Sequence, residues 1–114
     1  MTDLNLTIRP TSDGAVIALV GDLDYDSAAT LRAAVATITL RPGQVLTLDL
    51  AALTFCDSSG ITALVTAHHH AQTREAEMIL ANIPAHTDRV LRFVGLDQIL
   101  GIRPITTPAP EPPA

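Results

Sequence analysis

Four consecutive residues, Asp57-Ser58-Ser59-Gly60, set two hydroxyls between a carboxylate and a glycine, directly ahead of an apolar stripe. An oxygen-bearing side chain at that place is helix-capping chemistry, because the first N–H groups of a helix have no partner within it. Both Asp57 and Ser58 suit the cap. If Ser58 takes it, its hydroxyl is engaged near Gly60 and Ile61, and Ser59 stands at the first helical position with its hydroxyl free to point outward. Unpaired N–H groups and a partial positive charge at a helix start tolerate a phosphate, so Ser59 is a candidate phosphoacceptor. Gly60 leaves room for another protein's backbone or a nucleotide to come close. Taken alone, the tetrapeptide is no more than a polar strand-to-helix turn.

Three further groups of residues carry chemistry on paper. Asp22, Asp24 and Asp26 alternate like ligands of a calcium loop, but the glycine and terminal glutamate of such a loop are absent; capping of a helix near Ser27 accounts for Asp26. His68, His69 and His70 are consecutive, and successive helical residues point about 100° apart. They cannot converge on one ion, and no His pair four residues apart exists. His68 falls on an apolar stripe as a buried or half-buried core residue, while His70 points outward toward the edge of a partner surface. A hydrolase reading of serine with histidine lacks a G-x-S-x-G elbow and an orienting acid. Cys56, the single cysteine, sits beside Phe55 at a buried strand exit and reads as packing. No catalytic residue, metal ligand or cofactor site is assigned.

The elements that position these residues follow from periodicity. Leu4, Leu6 and Ile8 alternate with polar residues, Ser12-Asp13-Gly14 is turn chemistry, and Ala15 to Val20 is nearly all apolar: a hairpin. Gly21-Asp22-Leu23-Asp24 breaks the second strand. Leu31, Ala34, Val35 and Ile38 predict a helix over roughly 26–39. Val45 to Leu50 predicts a short buried strand, and Ile61, Leu64, Val65 and His68 the stripe of a second helix. Met78 to Ile83 is a further strand. Pro84 opens a helix with Val90, Leu91 and Val94, closed by Gly95. Leu96 to Ile105 holds a turn and a final edge strand, after which four prolines mark an extended tail.

The totals exclude whole classes of function. A chain of 114 residues is one domain, and 47% hydrophobic residues with mean hydropathy +0.32 imply a real core. A net charge of −5 without a single lysine gives no footprint for nucleic acid. No apolar run reaches transmembrane length and the start lacks a basic leader, so a soluble, cytoplasmic protein without membrane insertion is expected. One cysteine permits no internal disulfide and fits a reducing compartment.

Two segments at fixed spacing resemble the signatures of STAS domains. Gly21-Asp22-Leu23-Asp24, followed by Ala28 and Leu31, resembles the first. Val45 to Leu50 and then Phe55-Cys56-Asp57-Ser58-Ser59-Gly60-Ile61 resembles the second. Arg89-Val90-Leu91 with Gly95-Leu96-Asp97 is a weaker third. The resemblance covers roughly residues 4 to 102. It implies an α/β fold: a single STAS-like domain over 1–105, with a mixed four- or five-stranded sheet and helices packed on it. The C-terminal helix of many members is replaced here by a proline-rich tail, 106–114. The turn before the Met78 strand, often glycine-bearing in the family, reads Arg74-Glu75-Ala76-Glu77 here.

For function, the resemblance implies an anti-sigma factor antagonist, not an enzyme. In such members the second serine of D-S-S-G, here Ser59, is phosphorylated by the anti-sigma factor, a serine kinase of GHKL type, and a serine phosphatase resets the switch. The unphosphorylated form binds the anti-sigma factor and frees the sigma factor. Asp24 matches an acidic position beside the phosphorylation site, giving a partner-binding set of Asp24, Asp57, Ser58, Ser59 and Gly60. The alternative is a small STAS subunit of a membrane lipid-transport ATPase complex, which places no demand on a serine at 59.

Overall fold

Leu6 and Ile8 lie opposite Leu19 and Ile17 in an antiparallel ladder, so the apolar halves of both strands fall on one face. This computed structural model describes residues 3–93, 95–96 and 101–102. The elements run β1 (Asn5–Thr11), β2 (Gly14–Leu23), α1 (Tyr25–Thr37), β3 (Val45–Cys56), α2 (Ser58–Thr73), β4 (Glu77–Ala81), α3 (Ala85–Phe93) and β5 (Gly101–Ile102). The sheet order is β1-β2-β3-β4-β5. β1 pairs antiparallel with β2, and every later neighbour is parallel, each pair bridged by one helix. This is the mixed sheet with packed helices that the sequence predicts, in its five-stranded form.

The core lies between the sheet and its helices. Ile17, Leu19, Leu46, Leu48, Leu50 and Leu80 from the strands meet Leu31, Leu64 and Leu91 from the helices, all fully buried. Each such side chain stabilises the fold by roughly 1.5–3 kcal/mol. The buried stripe of α2 differs from the expected one. Gly60, Ala63, Leu64, Ala67 and Ala71 are buried, whereas Ile61, Val65 and His68 are only half-buried. The alanines recur every four residues and let α2 sit close to the sheet, so the bulky residues flank the contact instead of making it. In α3, Val90 is likewise exposed beside buried Leu91.

Two strands outlast their expected ends. β2 does not break at Gly21 but runs to Leu23, and β3 continues six residues past Leu50 to Cys56. Shifts of register near Ala18 and Gly21 mark irregular pairing, and Gly21 takes φ 111°, which a side chain rarely allows. The consequence is that Leu23 and Cys56 finish opposite one another.

Beyond Thr73, α2 closes with a Schellman motif: Ala76 N–H donates to Ala71 O and Glu75 N–H to Gln72 O, both at 2.9 Å. Glu75 takes the left-handed conformation, φ 58°, a region that favours glycine. Gly95 closes α3 as expected, with φ 82° and its N–H on Arg92 O. Val94, the tail and the 105/106 domain boundary lie outside the described residues. On the sheet face opposite the helices, Val16, Val45, Ile79 and Ala81 line an open groove of about 400 Å³.

Candidate functional site

The ends of β2 and β3 create the site. Because Leu23 and Cys56 are register partners, the residues that follow them, Asp24 and Asp57, start two helices side by side at the C-terminal edge of the parallel strands. Asp57 N–H donates to Leu23 O at 3.3 Å and ties the corners together. Ligand and partner sites gather at this edge of parallel sheets, since the helix starts there present unpaired donors.

Each corner is capped by its aspartate. Asp24 Oδ1 accepts from Ser27 N–H at 3.0 Å and from Ser27 Oγ, while Asp24 N–H donates to Ser27 Oγ at 2.9 Å: a reciprocal capping box. Ser27 Oγ also lies 2.8 Å from Asp22 O. The cap of α1 is therefore Asp24, not Asp26, and the side chain assigned to partner contact is engaged within its own corner. Asp22 is directed elsewhere, its Oδ1 accepting from Thr54 Oγ1 at 2.6 Å. Among the described residues no three His, Cys, Asp or Glu side chains gather as metal ligands.

In the second corner Asp57 is the cap, its Oδ1 accepting from Gly60 N–H at 2.9 Å. Ser58 is thus the first helical residue and Ser59 the second. Of the two candidate caps it is Asp57 that serves, so the argument that a capping Ser58 frees a first-position Ser59 does not hold: the longer β3 brings Asp57 to the cap position, and neither serine hydroxyl is used in capping. What separates the two is place. Ser58 is exposed, whereas Ser59 is half-buried and lines a cleft of about 170 Å³ between α1 and α2, with Tyr25, Ala28, Arg32 and Thr62. Thr62 Oγ1 donates to Ser58 O at 3.0 Å, so that hydroxyl is already employed.

Gly60 is fully covered. A Cβ there would run into the backbone oxygen and Cγ of Leu23 and into Cys56 Sγ. Its missing side chain makes room for β2 of the same chain, so Gly60 shapes the corner from inside and is not a contact surface. Cys56 is half-buried, and burial together with the charge of Asp57 pushes its thiol up to about 12. The thiol stays protonated at neutral pH, in keeping with a packing role.

The histidines do not form a site. His69 is exposed, and its ring lies 6.0 Å from that of His68. His68 is half-buried as expected, its Nδ1 enclosed without a hydrogen-bond partner, and burial followed by the neighbouring His69 lowers its pKa. His70 does not point freely outward; it is half-buried with Nε2 enclosed.

Tyr25, Arg32 and Thr62 are the cleft residues that sequence reasoning missed. The spacing shows only part of this: Tyr25, Ala28 and Arg32 are three and four apart on one side of α1, running along the edge of the buried stripe at Ala28. Tyr25, 79% exposed, is a large apolar surface immediately next to Ser59.

The parallel sheet edge thus sets two adjoining helix starts side by side, with a serine over their seam. Residues 6–103 match the family model described as Mlab, STAS domain, and the chain belongs to the STAS domain family. It is 26% identical over 92 residues to the anti-sigma-B factor antagonist of Listeria monocytogenes, an alignment spanning 81% of each chain. The fold is shared with the crystal structure of an anti-sigma factor antagonist from Mycobacterium paratuberculosis, with a TM-score of 0.78 at 19% identity over 90% of this chain and 87% of that one. It is also shared with the phosphorylated form of the Bacillus cell fate determinant SpoIIAA, with a TM-score of 0.65 at 22% identity over 88% and 92%. Among the described residues no helix is long and apolar enough to cross a membrane.

Proposed function

We propose that the protein is an anti-sigma factor antagonist switched by phosphorylation of Ser59. The observation that carries this reading is the place of Ser59: over the seam of two helix starts, half-buried in an open cleft, with a hydroxyl that capping does not use. The likeness to the anti-sigma-B factor antagonist of Listeria and to a SpoIIAA that exists in a phosphorylated form supports it. The partner is an anti-sigma factor that is a GHKL-type serine kinase. In the transfer, Ser59 Oγ forms the new bond to the γ-phosphorus of ATP, the bridging bond to ADP breaks, and the hydroxyl proton leaves to a base of the kinase. A serine phosphatase hydrolyses the ester and restores binding. All of this chemistry belongs to partners in the cytoplasm, and the chain itself supplies only the acceptor.

Phosphorylation acts on the interface. A phosphoserine adds roughly −1.5 to −2 charges beside Asp57 and Asp24. Placed against a kinase site that already holds nucleotide phosphates, like charges desolvated together cost several kcal/mol, about a hundredfold or more in affinity. The test is a calorimetric titration of the anti-sigma partner with each form, circular dichroism serving as the folding control. Unphosphorylated protein and Ser59→Ala should bind, Ser59→Asp weakly, and the phosphorylated form not at all. Equal affinity for both natural forms would overturn the switch and favour the subunit of a lipid-transport ATPase complex.

A further inference from the structure

Arg32 shares the cleft with Ser59 yet takes part in no ion pair or hydrogen bond among the described residues. It stands on the exposed side of α1, one turn beyond Ala28 and two beyond Tyr25, and its guanidinium is the single positive group on the cleft wall. Both capping carboxylates are occupied, Asp24 by Ser27 and Asp57 by Gly60 N–H, and Asp26 in the first turn of α1 makes no ion pair with Arg32. A cation facing a neutral hydroxyl, without an ion-pair partner among the described residues, is a charge without a counter-charge.

We propose that Arg32 is the intramolecular receptor for the phosphate on Ser59, an inference that rests on the reading of Ser59 as phosphoacceptor. The cleft of about 170 Å³ has the room of several waters at ~30 Å³ each, enough for a phosphoryl group. Guanidinium offers a planar fork of N–H donors that matches two phosphate oxygens at once. Tyr25, on the same wall, carries a further donor hydroxyl, whereas Thr62 has already given its proton to Ser58 O. Docked there, the phosphate lies along the seam of α1 and α2, and the one cation of the corner is withdrawn from any partner. The modification thus does two things with one group: it adds negative charge and cancels the positive charge that faced the partner. Ser58 is exposed and outside the cleft wall, so a phosphate on it has no such receptor.

The experiment installs phosphoserine genetically at 59, without any kinase, and follows its second ionisation by phosphorus NMR. Wild type should show a second pKa lower by about 0.5–1 than Arg32→Gln, the low end of what a neighbouring opposite charge does. Arg32→Lys should restore part of the difference, since it keeps the charge and loses the fork. The Arg32 side-chain Nε–H resonance should move on phosphorylation at 59 and stay in place when phosphoserine is installed at 58. The same pKa with and without Arg32, or an equal response to phosphate at 58, would overturn the proposal. Failure of an anti-sigma kinase to modify Ser59 would sink the functional reading while leaving this measurement intact.

Discussion

The two corners of the site are built alike and finish differently. In each, a parallel strand ends, an aspartate caps, and a helix begins: Leu23-Asp24-Tyr25 in the first and Cys56-Asp57-Ser58 in the second. At the third helical position the first corner has Ser27, which returns the bond and closes a capping box. The second has Gly60, which donates only its backbone N–H and lets Leu23 pack against it. At the second helical position the first corner carries Asp26 and the second Ser59. The first corner thus permanently holds, at a helix start, the negative charge that the second would gain on the phosphorylation proposed for Ser59. A fold that accepts Asp26 there has a stated electrostatic reason to accept a phosphate on Ser59. The difference between a fixed and a conditional charge lies in two side chains, not in backbone design.

The largest expected effect concerns the residues before the caps, Leu23 and Cys56. If the second corner is packed as tightly as the first, Cys56 stays a thiol far into the alkaline range. With its pKa near 12 against an ordinary 9.0, alkylation by iodoacetamide at pH 9 should be slower than for a free thiol by a factor of roughly several hundred. The raised value also sets a sign for stability. The folded state holds the proton more tightly, so this contribution is complete below pH 9.0 and is lost as the pH climbs toward about 12. Cys56→Ala should remove that part of the alkaline loss in urea titrations at several pH values. Rapid labelling of native protein would show that the corner is open.

Next in size is Gly60→Ala. Helix propensity favours alanine by about 1 kcal/mol, yet the new methyl meets the Leu23 backbone, which cannot swing aside. Overpacking costs about 1–3 kcal/mol, and a clash with backbone belongs at the upper end of that range, so after the helix gain a net loss of about 2 kcal/mol in urea unfolding is expected. A neutral or stabilising outcome would mean that the corners are not held apart by this contact. The caps come third. Asp24→Ala breaks a reciprocal pair and should cost about 1–2 kcal/mol; Asp57→Ala loses one bond and should cost about 1 kcal/mol. A reversed order would show that the box contributes nothing beyond its first bond.

The sequence made the sheet, the helices and the two motif loops legible because leucine alternation and the turn residues are local signals. The second halves of β2 and β3 were not legible. Gly21 reads locally as a breaker, and only pairing with β3 makes its positive φ part of a strand. The alanine stripe of α2 escaped for a related reason: bulky residues mark a helix face, while close packing on a sheet selects small ones. Ser59 was singled out by a capping argument that the structure replaces. Asp57 holds the cap, and the choice between the serines rests on the cleft. Arg32 and Tyr25 went unread because nothing in α1 alone says which helix start lies beside it.

The smallest expected effect sharpens that last distinction. Were Ser58 the cap of α2, Ser58→Ala would cost about 1 kcal/mol. With Asp57 in that place, Ser58 is an exposed first-turn residue whose hydroxyl caps nothing, and surface changes of this kind fall within about 0.5 kcal/mol. Alanine's better helix propensity pulls the same way, so a slight gain is as consistent as no change. Urea unfolding of Ser58→Ala beside Asp57→Ala decides it. A loss confined to Asp57→Ala supports the cap assigned here, whereas comparable losses would place Ser58 in the cap and return its hydroxyl to the fold. The same variant should still accept phosphate at Ser59, because the cleft wall of Tyr25, Ala28, Arg32 and Thr62 does not include residue 58. Loss of phosphorylation in a fully folded Ser58→Ala would move the acceptor, and with it the argument from the cleft, to the neighbouring serine.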